Sequence, residues 1–404
     1  MRIAILGAGN AGTCAALELA CRGQRVDLYD ECDEPVSRAS FHNEGKIHLG
    51  ILYAKDPSMR TAQLMLEGAT AFAPLLNRWI GFDDRQVLST PFYYAVHRGS
   101  MLEVDRLRAH YASCKRILDD MHAARGATYL GMERTVDVEQ LTQSAMEQLV
   151  HGDYFLAMFR TNERAVDPRT VAPFLREAIR GDPGIRFIGG ARVVDVARLD
   201  HGAIAVTFEK EGQRYVEEYD QVANTLWHGR LSIDARMGLQ PERPWMHRYK
   251  FANRVHVTLG PEIPSITCVL GPFGDIVNYG ANGLFLSWYP EGMIGTSFDL
   301  EPPDWHHELT PARRYEVFQR SHAEWIERCP LLRSLEFSED DVDPGGGVIF
   351  AWGDTDVDDQ NSKLHDRHDV GVFSVRNYHT VNTGKYTLSP LMGMRTADRI
   401  LGVA

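Results

Sequence analysis

The residues with the plainest chemical spacing stand near the N-terminus, where the apolar run Ile3 to Leu6 meets Gly7-Ala8-Gly9-Asn10-Ala11-Gly12. Ala15, Ala16, Leu19 and Ala20 then recur at helical spacing, so the glycines fall between a strand and a helix. Such a junction handles phosphate. Gly7 makes the tight turn, Gly9 lets a pyrophosphate reach the backbone, and Gly12 brings helix and strand together, while the helix N-terminus faces the negative charge. A second strand, Val26 to Tyr29, ends at Asp30, about 20 residues past the last glycine, where a dinucleotide fold places the acid that binds a ribose diol. Glu31 beside it repels the extra phosphate of NADP. The motif leaves FAD and NAD both open, because each carries the adenosine diphosphate that this unit recognises.

Downstream, Ser37 to Gly50 is small, polar and glycine-bearing, which a packed core does not need, and it reads as a second cofactor loop with Arg38, Ser40, Asn43, Gly45, Lys46 and Ile47 as its contacts. The run Asn43-x-Gly45-x-Ile47-His48-x-Gly50 resembles the D-amino acid oxidase (DAO) superfamily of FAD-dependent oxidoreductases, and within it is most similar to the L-2-hydroxyglutarate oxidases. Val166-Asp167-Pro168 opening a helix, the returning strand Asp220 to Thr225 and the turn Thr383-Gly384-Lys385-Tyr386-Thr387 fit the same family in the expected order.

The resemblance implies FAD as cofactor and an α/β fold: a discontinuous Rossmann-like FAD-binding domain (residues 1–85, 150–235 and 345–404) with an α+β substrate domain on a largely antiparallel sheet (86–149 and 236–344). It also places the C-terminal turn under the pyrimidine end of the flavin. A helix starting near Ser389-Pro390 then points its positive end at the flavin O2, where reduction adds negative charge.

In such enzymes a hydride leaves a substrate carbon for flavin N5, and the protein supplies orientation and a proton acceptor. His48 is the candidate acceptor, since a neutral imidazole takes a proton from an amine or hydroxyl. Lys385 is the candidate for binding an acid or assisting oxygen. Tyr279 and Tyr289 are candidates for the pocket wall, with Tyr289-Pro290-x-Gly292 similar to a pocket turn of the amino acid oxidases.

One departure matters. Where those oxidases carry an arginine after the glycine of this segment, Gly353 is followed by Asp354 and Thr355. Another cation (Arg254, Arg376, Lys385 or Lys250) therefore binds an acid, or the substrate is an amine or polyol. The expected reaction is oxidation of a C–N bond in a small amine or amino acid. A 2-hydroxy acid is the alternative, a flavin bound without turnover is another, and the electron acceptor is O2 or a different oxidant.

The resemblance implies a small polar organic substrate as partner, and composition argues against the larger partners. The 404 residues carry 55 acidic and 43 basic side chains, a formal charge of −12, which offers no net positive field to nucleic acid. No window approaches the ~18 apolar residues of a membrane span, and a cytoplasmic setting is expected. The six cysteines show no CxxC pair and read as reduced thiols. No metal is expected: the acidic run from Asp354 lacks the glycine and glutamate of a calcium loop, and His365 with His368 has no third ligand. Gly384-Lys385 has no upstream glycine for a P-loop, and no Gly-x-Ser-x-Gly elbow occurs. The oligomeric state stays open.

The elements that position these residues follow from periodicity. Arg186 to Ile188, Val193 to Val196, Ala203 to Glu209 and Arg214 to Tyr219 suggest a meander. Strands are expected at 249–259, 266–270, 276–278, 284–289 and 293–299, helices at 101–124 and 311–327, and a solvated linker at Ser338 to Asp341 with Gly345 to Gly347.

Overall fold

The computed structural model describes residues 1–82, 88–132 and 137–403. The apolar runs Ile3–Leu6 and Val26–Tyr29 pair in parallel, with Gln221–Asn224 on the other side of the first. Ile185–Ile188 and Tyr378–Asn382 extend this sheet in parallel, and Gly371–Val375 closes one edge antiparallel, making six strands. Buried on both faces, the central strand Ile3–Leu6 reads as an unbroken hydrophobic segment.

The helix Asn10–Cys21 is built of small residues for a packing reason. It lies against the last helix, Ser389–Leu401, so closely that a Cβ on Gly393 would come within 2.5 Å of the Cys14 Cβ. A three-stranded antiparallel meander, 192–198, 204–210 and 213–219, sits beside the six-stranded sheet. Ile185–Ile188, expected in that meander, instead joins the parallel sheet next to Val26–Tyr29, because the helix before it, Pro168–Gly181, makes the crossover that parallel pairing requires.

The second sheet has nine strands and is mostly antiparallel. Near one end of it, Trp245–Val255 pairs residue for residue with Val342–Trp352 on one side and with Leu284–Trp288 and Met293–Ser297 on the other. Two strands depart from the expected division, one inside the segment 150–235 and one across the boundary at 345. Phe155–Thr161 pairs with Phe92–His97, and Val342–Trp352 with Trp245–Val255, so both belong to the larger sheet.

The expected linker is also corrected. Ser338 and Asp341 form a capping box, and Gly345 to Gly347 lie inside a strand where side chains would collide with His42, Tyr249 and Ala39. Those glycines permit close approach of the strand to the segment after Ser37. One apolar cluster runs through both sheets, joining Ile5 and Leu28 to Phe92 and Val277. Among the described residues no helix is long and apolar enough to cross a membrane.

Candidate active site

A cleft of about 660 Å³ begins at the glycine turn and ends between the two sheets. At the turn, Gly7 takes a left-handed φ of +98°, and a Cβ there would sit 2.9 Å from the Thr225 carbonyl oxygen. Gly12 is more constrained, since its Cβ would meet the Gly7 oxygen at 1.9 Å. Gly12 does not line the cleft, whereas Gly7, Gly9, Asn10 and Ala11 do. The Asn10 N–H at the helix start donates to the Ser40 hydroxyl at 3.0 Å.

Asp30 lines the cleft and is half-buried, with its carboxylate accepting from Ala8 N–H at 2.7 Å and Cys32 N–H at 2.8 Å. Burial raises its pKa, and the two N–H groups oppose that rise. Glu31 lies beside it, 3.5 Å from the Arg38 guanidinium. Arg38, Ser40, Asn43 and Lys46 line the cleft as well. Gly45 and Ile47 do not: Gly45 turns the chain at φ +62°, and Ile47 pairs with Arg164 in a short antiparallel ladder.

The inner end is made of charged side chains from separate segments. Lys46 is fully buried, its ammonium bonded to Thr267 Oγ1 and Asp275 Oδ1 at 2.5 and 2.6 Å and lying over the Phe92 ring. Lys250 approaches the same carboxylate at 3.9 Å. Burial would push Asp275 up, but Lys46 and Lys250 hold it below the usual carboxylate range. Thr383, Gly384, Lys385 and Tyr386 line the cleft opposite, while Thr387 sits behind them. There the Thr387 hydroxyl donates to the Lys46 carbonyl and accepts from His48 N–H, each at 2.9 Å, which ties the C-terminal turn to the loop after Ser37.

The Lys385 ammonium has no hydrogen bond or ion pair among the described residues, and it lines the cleft with Lys46 and Lys250. Burial pushes its pKa down to about 8, against the pull of Glu44 and with the push of Arg367 and both lysines. His48 lines the same end at 1% exposure, and burial together with Lys385 and Lys46 keeps it neutral.

The two tyrosines lie elsewhere. Tyr279 donates to the Glu44 carbonyl under the Arg254 guanidinium, and Tyr289 donates to Asp356 and accepts from Arg248, so neither is part of the cleft lining. Of the alternative cations, Arg254 is committed to Asp167 and Arg376 occupies an exposed turn. Only Lys250 joins Lys385 at the cleft. Residues without a sequence signal are Asp275, Phe285 and Glu163, each a single side chain delivered by a strand or turn distant in sequence.

A cleft with a glycine-floored phosphate turn at one end and a neutral imidazole among ammonium groups at the other suits a dinucleotide cofactor and a small anionic reactant. The sequence profile of FAD-dependent oxidoreductases matches residues 2–399. The chain belongs to this family. The DAO oxidoreductase has no match among curated protein sequences. Its fold is similar to glycine oxidase from Geobacillus kaustophilus, with a TM-score of 0.68 and 18% identity over 99% of this chain and 95% of that one. Iminodiacetate oxidase from Chelativorans sp. BNC1 superposes with a TM-score of 0.66, at 16% identity over 99% and 95% of the two chains. The FAD-bound L-alpha-glycerophosphate oxidase from Mycoplasma pneumoniae gives 0.63, at 14% identity over 99% and 94%. The oxidoreductase is FAD-dependent, with a mixed α/β architecture shared with these structures.

Proposed function

We propose that this oxidoreductase oxidises the C–N bond of a small amino acid or amine. FAD would be held by Gly7, Gly9, Asn10 and Ala11 at its pyrophosphate, by Asp30 and Glu31 at its ribose, and by the Ser40 to Lys46 and Thr383 to Tyr386 segments at its ring. When bound, the flavin supplies a two-electron acceptor. Everything else falls to the chain. In this reading the six-stranded sheet carries the nucleotide, and the nine-stranded sheet, with 155–161 and 342–352 included, supplies the substrate wall through Lys250 and Phe285.

The observation that carries the reading is the unpartnered Lys385 ammonium beside Lys250 and neutral His48. A half-buried ammonium without a counter-ion is costly, and a substrate carboxylate would supply one. His48, uncharged, is then the acceptor for a proton from the substrate amine. Glycine oxidase and iminodiacetate oxidase among the structural neighbours act on substrates of this kind by their names. A second reading, oxidation of a 2-hydroxy acid, uses the same lysines and base on an O–H proton, and the Asn43 to Gly50 run favours it.

Anaerobic mixing of the purified enzyme with amino acids, amines and 2-hydroxy acids separates the readings. Amino acids or amines should bleach the flavin bands; bleaching by hydroxy acids alone would select the second reading, and bleaching by none would refute both.

A further inference from the structure

Between the strands Phe155–Thr161 and Arg164–Ala165 the chain carries a carboxylate into the interior at Glu163, which is 0% exposed. Burying such a charge costs several kcal/mol unless partners answer it. Two of its partners are fixed hydrogen-bond donors: Oε2 accepts the Leu49 N–H at 2.6 Å, and Oε1 accepts the Tyr94 hydroxyl. The Lys46 ammonium is committed to Thr267 and Asp275 and acts on Glu163 through space. A further neighbour is His48, whose Nδ1 lies 3.9 Å from Oε1 and is buried without a hydrogen-bond partner among the described residues.

His48 thus stands between the cleft and a buried carboxylate. Its other surroundings oppose protonation: Lys385 and Lys46 face it with positive charge, the Tyr53 ring packs edge-on at 5.3 Å, and Thr387 fixes its backbone N–H. An imidazole placed among ammonium groups is a poor proton acceptor unless something stabilises the imidazolium as it forms. Around Glu163 the groups are Tyr94, Tyr111, Tyr129 and Cys114, all uncharged at neutral pH, together with Lys46 and Asp275. Burial holds the Glu163 pKa up near 7, with Lys46 and the Tyr94 hydroxyl pulling it down.

We propose that Glu163 is a positioning residue for His48, holding the ring with Nδ1 protonated and its charge-accepting face toward the cleft, and pairing with the imidazolium during turnover. The inference rests on the reading of His48 as the base. In the step, the substrate N–H bond breaks, the electron pair stays on nitrogen to form the C=N bond, and the proton is bound at His48 Nε2. The C–H bond gives up its two electrons with the hydride, for which FAD is the oxidant. The proton at Nδ1 stays where it is, so Glu163 need not take it up, as in other carboxylate-oriented histidines.

Glu163→Gln tests this, because the amide keeps an acceptor for Leu49 N–H and a partner for Tyr94 while removing the charge. FAD content should be unchanged. Anaerobic bleaching by the fastest-reducing amino acid should slow at least tenfold at pH 7, and the acidic limb of its pH profile should move to lower pH. Glu163→Asp should recover part of both. A readout free of any variant is the ¹⁵N signature of His48 in the oxidised holoenzyme, which should show the Nδ1–H tautomer.

Bleaching within twofold of the unsubstituted enzyme with the same pH profile in Glu163→Gln, or an Nε2–H tautomer in the holoenzyme, would overturn the proposal. If His48→Gln itself leaves rate and profile unchanged, the base assignment fails and takes this inference with it. If His48→Gln is slow and Glu163→Gln is not, only the role of Glu163 fails.

Discussion

The two ends of the cleft solve opposite problems. At the glycine turn, backbone does the work: Gly7 and Gly12 are held where any Cβ would strike a backbone oxygen, and the nearby N–H groups bond to Ser40 and Asp30. At the inner end, side chains do it. Lys46, Lys250, Lys385 and His48 come from three separate segments, and Asp275 and Glu163 arrive from two more. The first end is built from contiguous residues, so its tolerance is steric; the second is an electrostatic arrangement whose members matter according to whether they are paired. Lys46 and Lys385 show the difference within one residue type, one committed to a carboxylate and the other to none among the described residues.

That contrast gives graded expectations. Lys46→Met should be the most damaging to stability, by about 3–5 kcal/mol, because it removes one member of a buried ion pair and leaves Asp275 with Lys250 at 3.9 Å; chemical denaturation measures it, and a loss under 1 kcal/mol would break the paired-versus-unpaired distinction. Gly12→Ala comes next, at about 3 kcal/mol, since a methyl group cannot share space with the Gly7 oxygen. An unshifted melting temperature would show that the turn relaxes. Thr387→Val removes the acceptor for His48 N–H and the donor to the Lys46 carbonyl, and should cost about 1–3 kcal/mol.

Lys385→Met sits at the far end of the series: no loss of stability, with a raised KM for an acidic substrate. Its pH dependence has a definite sign. The folded state holds this lysine near 8 against an unfolded value of 10.5, so below pH 8 the group costs stability in full. The cost disappears as pH rises from about 8 to above 10.5. The substitution should therefore abolish a rise in stability across that range, which denaturation at pH 7.5 and 10 would register.

The same contrast explains what could be read from the sequence. The strand, glycine turn and helix at Ile3 to Cys21 were legible because backbone recognition of phosphate demands glycine at fixed local spacing. So were the strands around Ile266, Leu284 and Met293 and the helices Val104–Arg125 and Pro311–Arg328, which carry their own periodicity, whereas the long helix Arg60–Ile80 was not anticipated. The glycines 345–347 were misread as a linker because a glycine needed for strand-to-chain contact looks the same, one residue at a time, as one needed for flexibility. Tyr289 illustrates a different failure: its motif is local, but the partner that turns its hydroxyl away, Asp356, lies in another segment. Glu163 and Asp275 had no signal at all, since an isolated acid in a strand or turn gives no sign that the fold will bury it beside a histidine or lysine.

The separation of holding from reacting is tested most directly by measuring flavin content and anaerobic bleaching together in Gly9→Val and His48→Gln. Gly9→Val, whose side chain would fill the floor of the turn against Ser40 Oγ at 3.0 Å, should emerge without FAD. His48→Gln should keep one FAD per chain and lose at least tenfold in the rate at which an amino acid bleaches it. A His48→Gln enzyme that bleaches at the normal rate, or that loses its flavin as Gly9→Val does, would contradict the account.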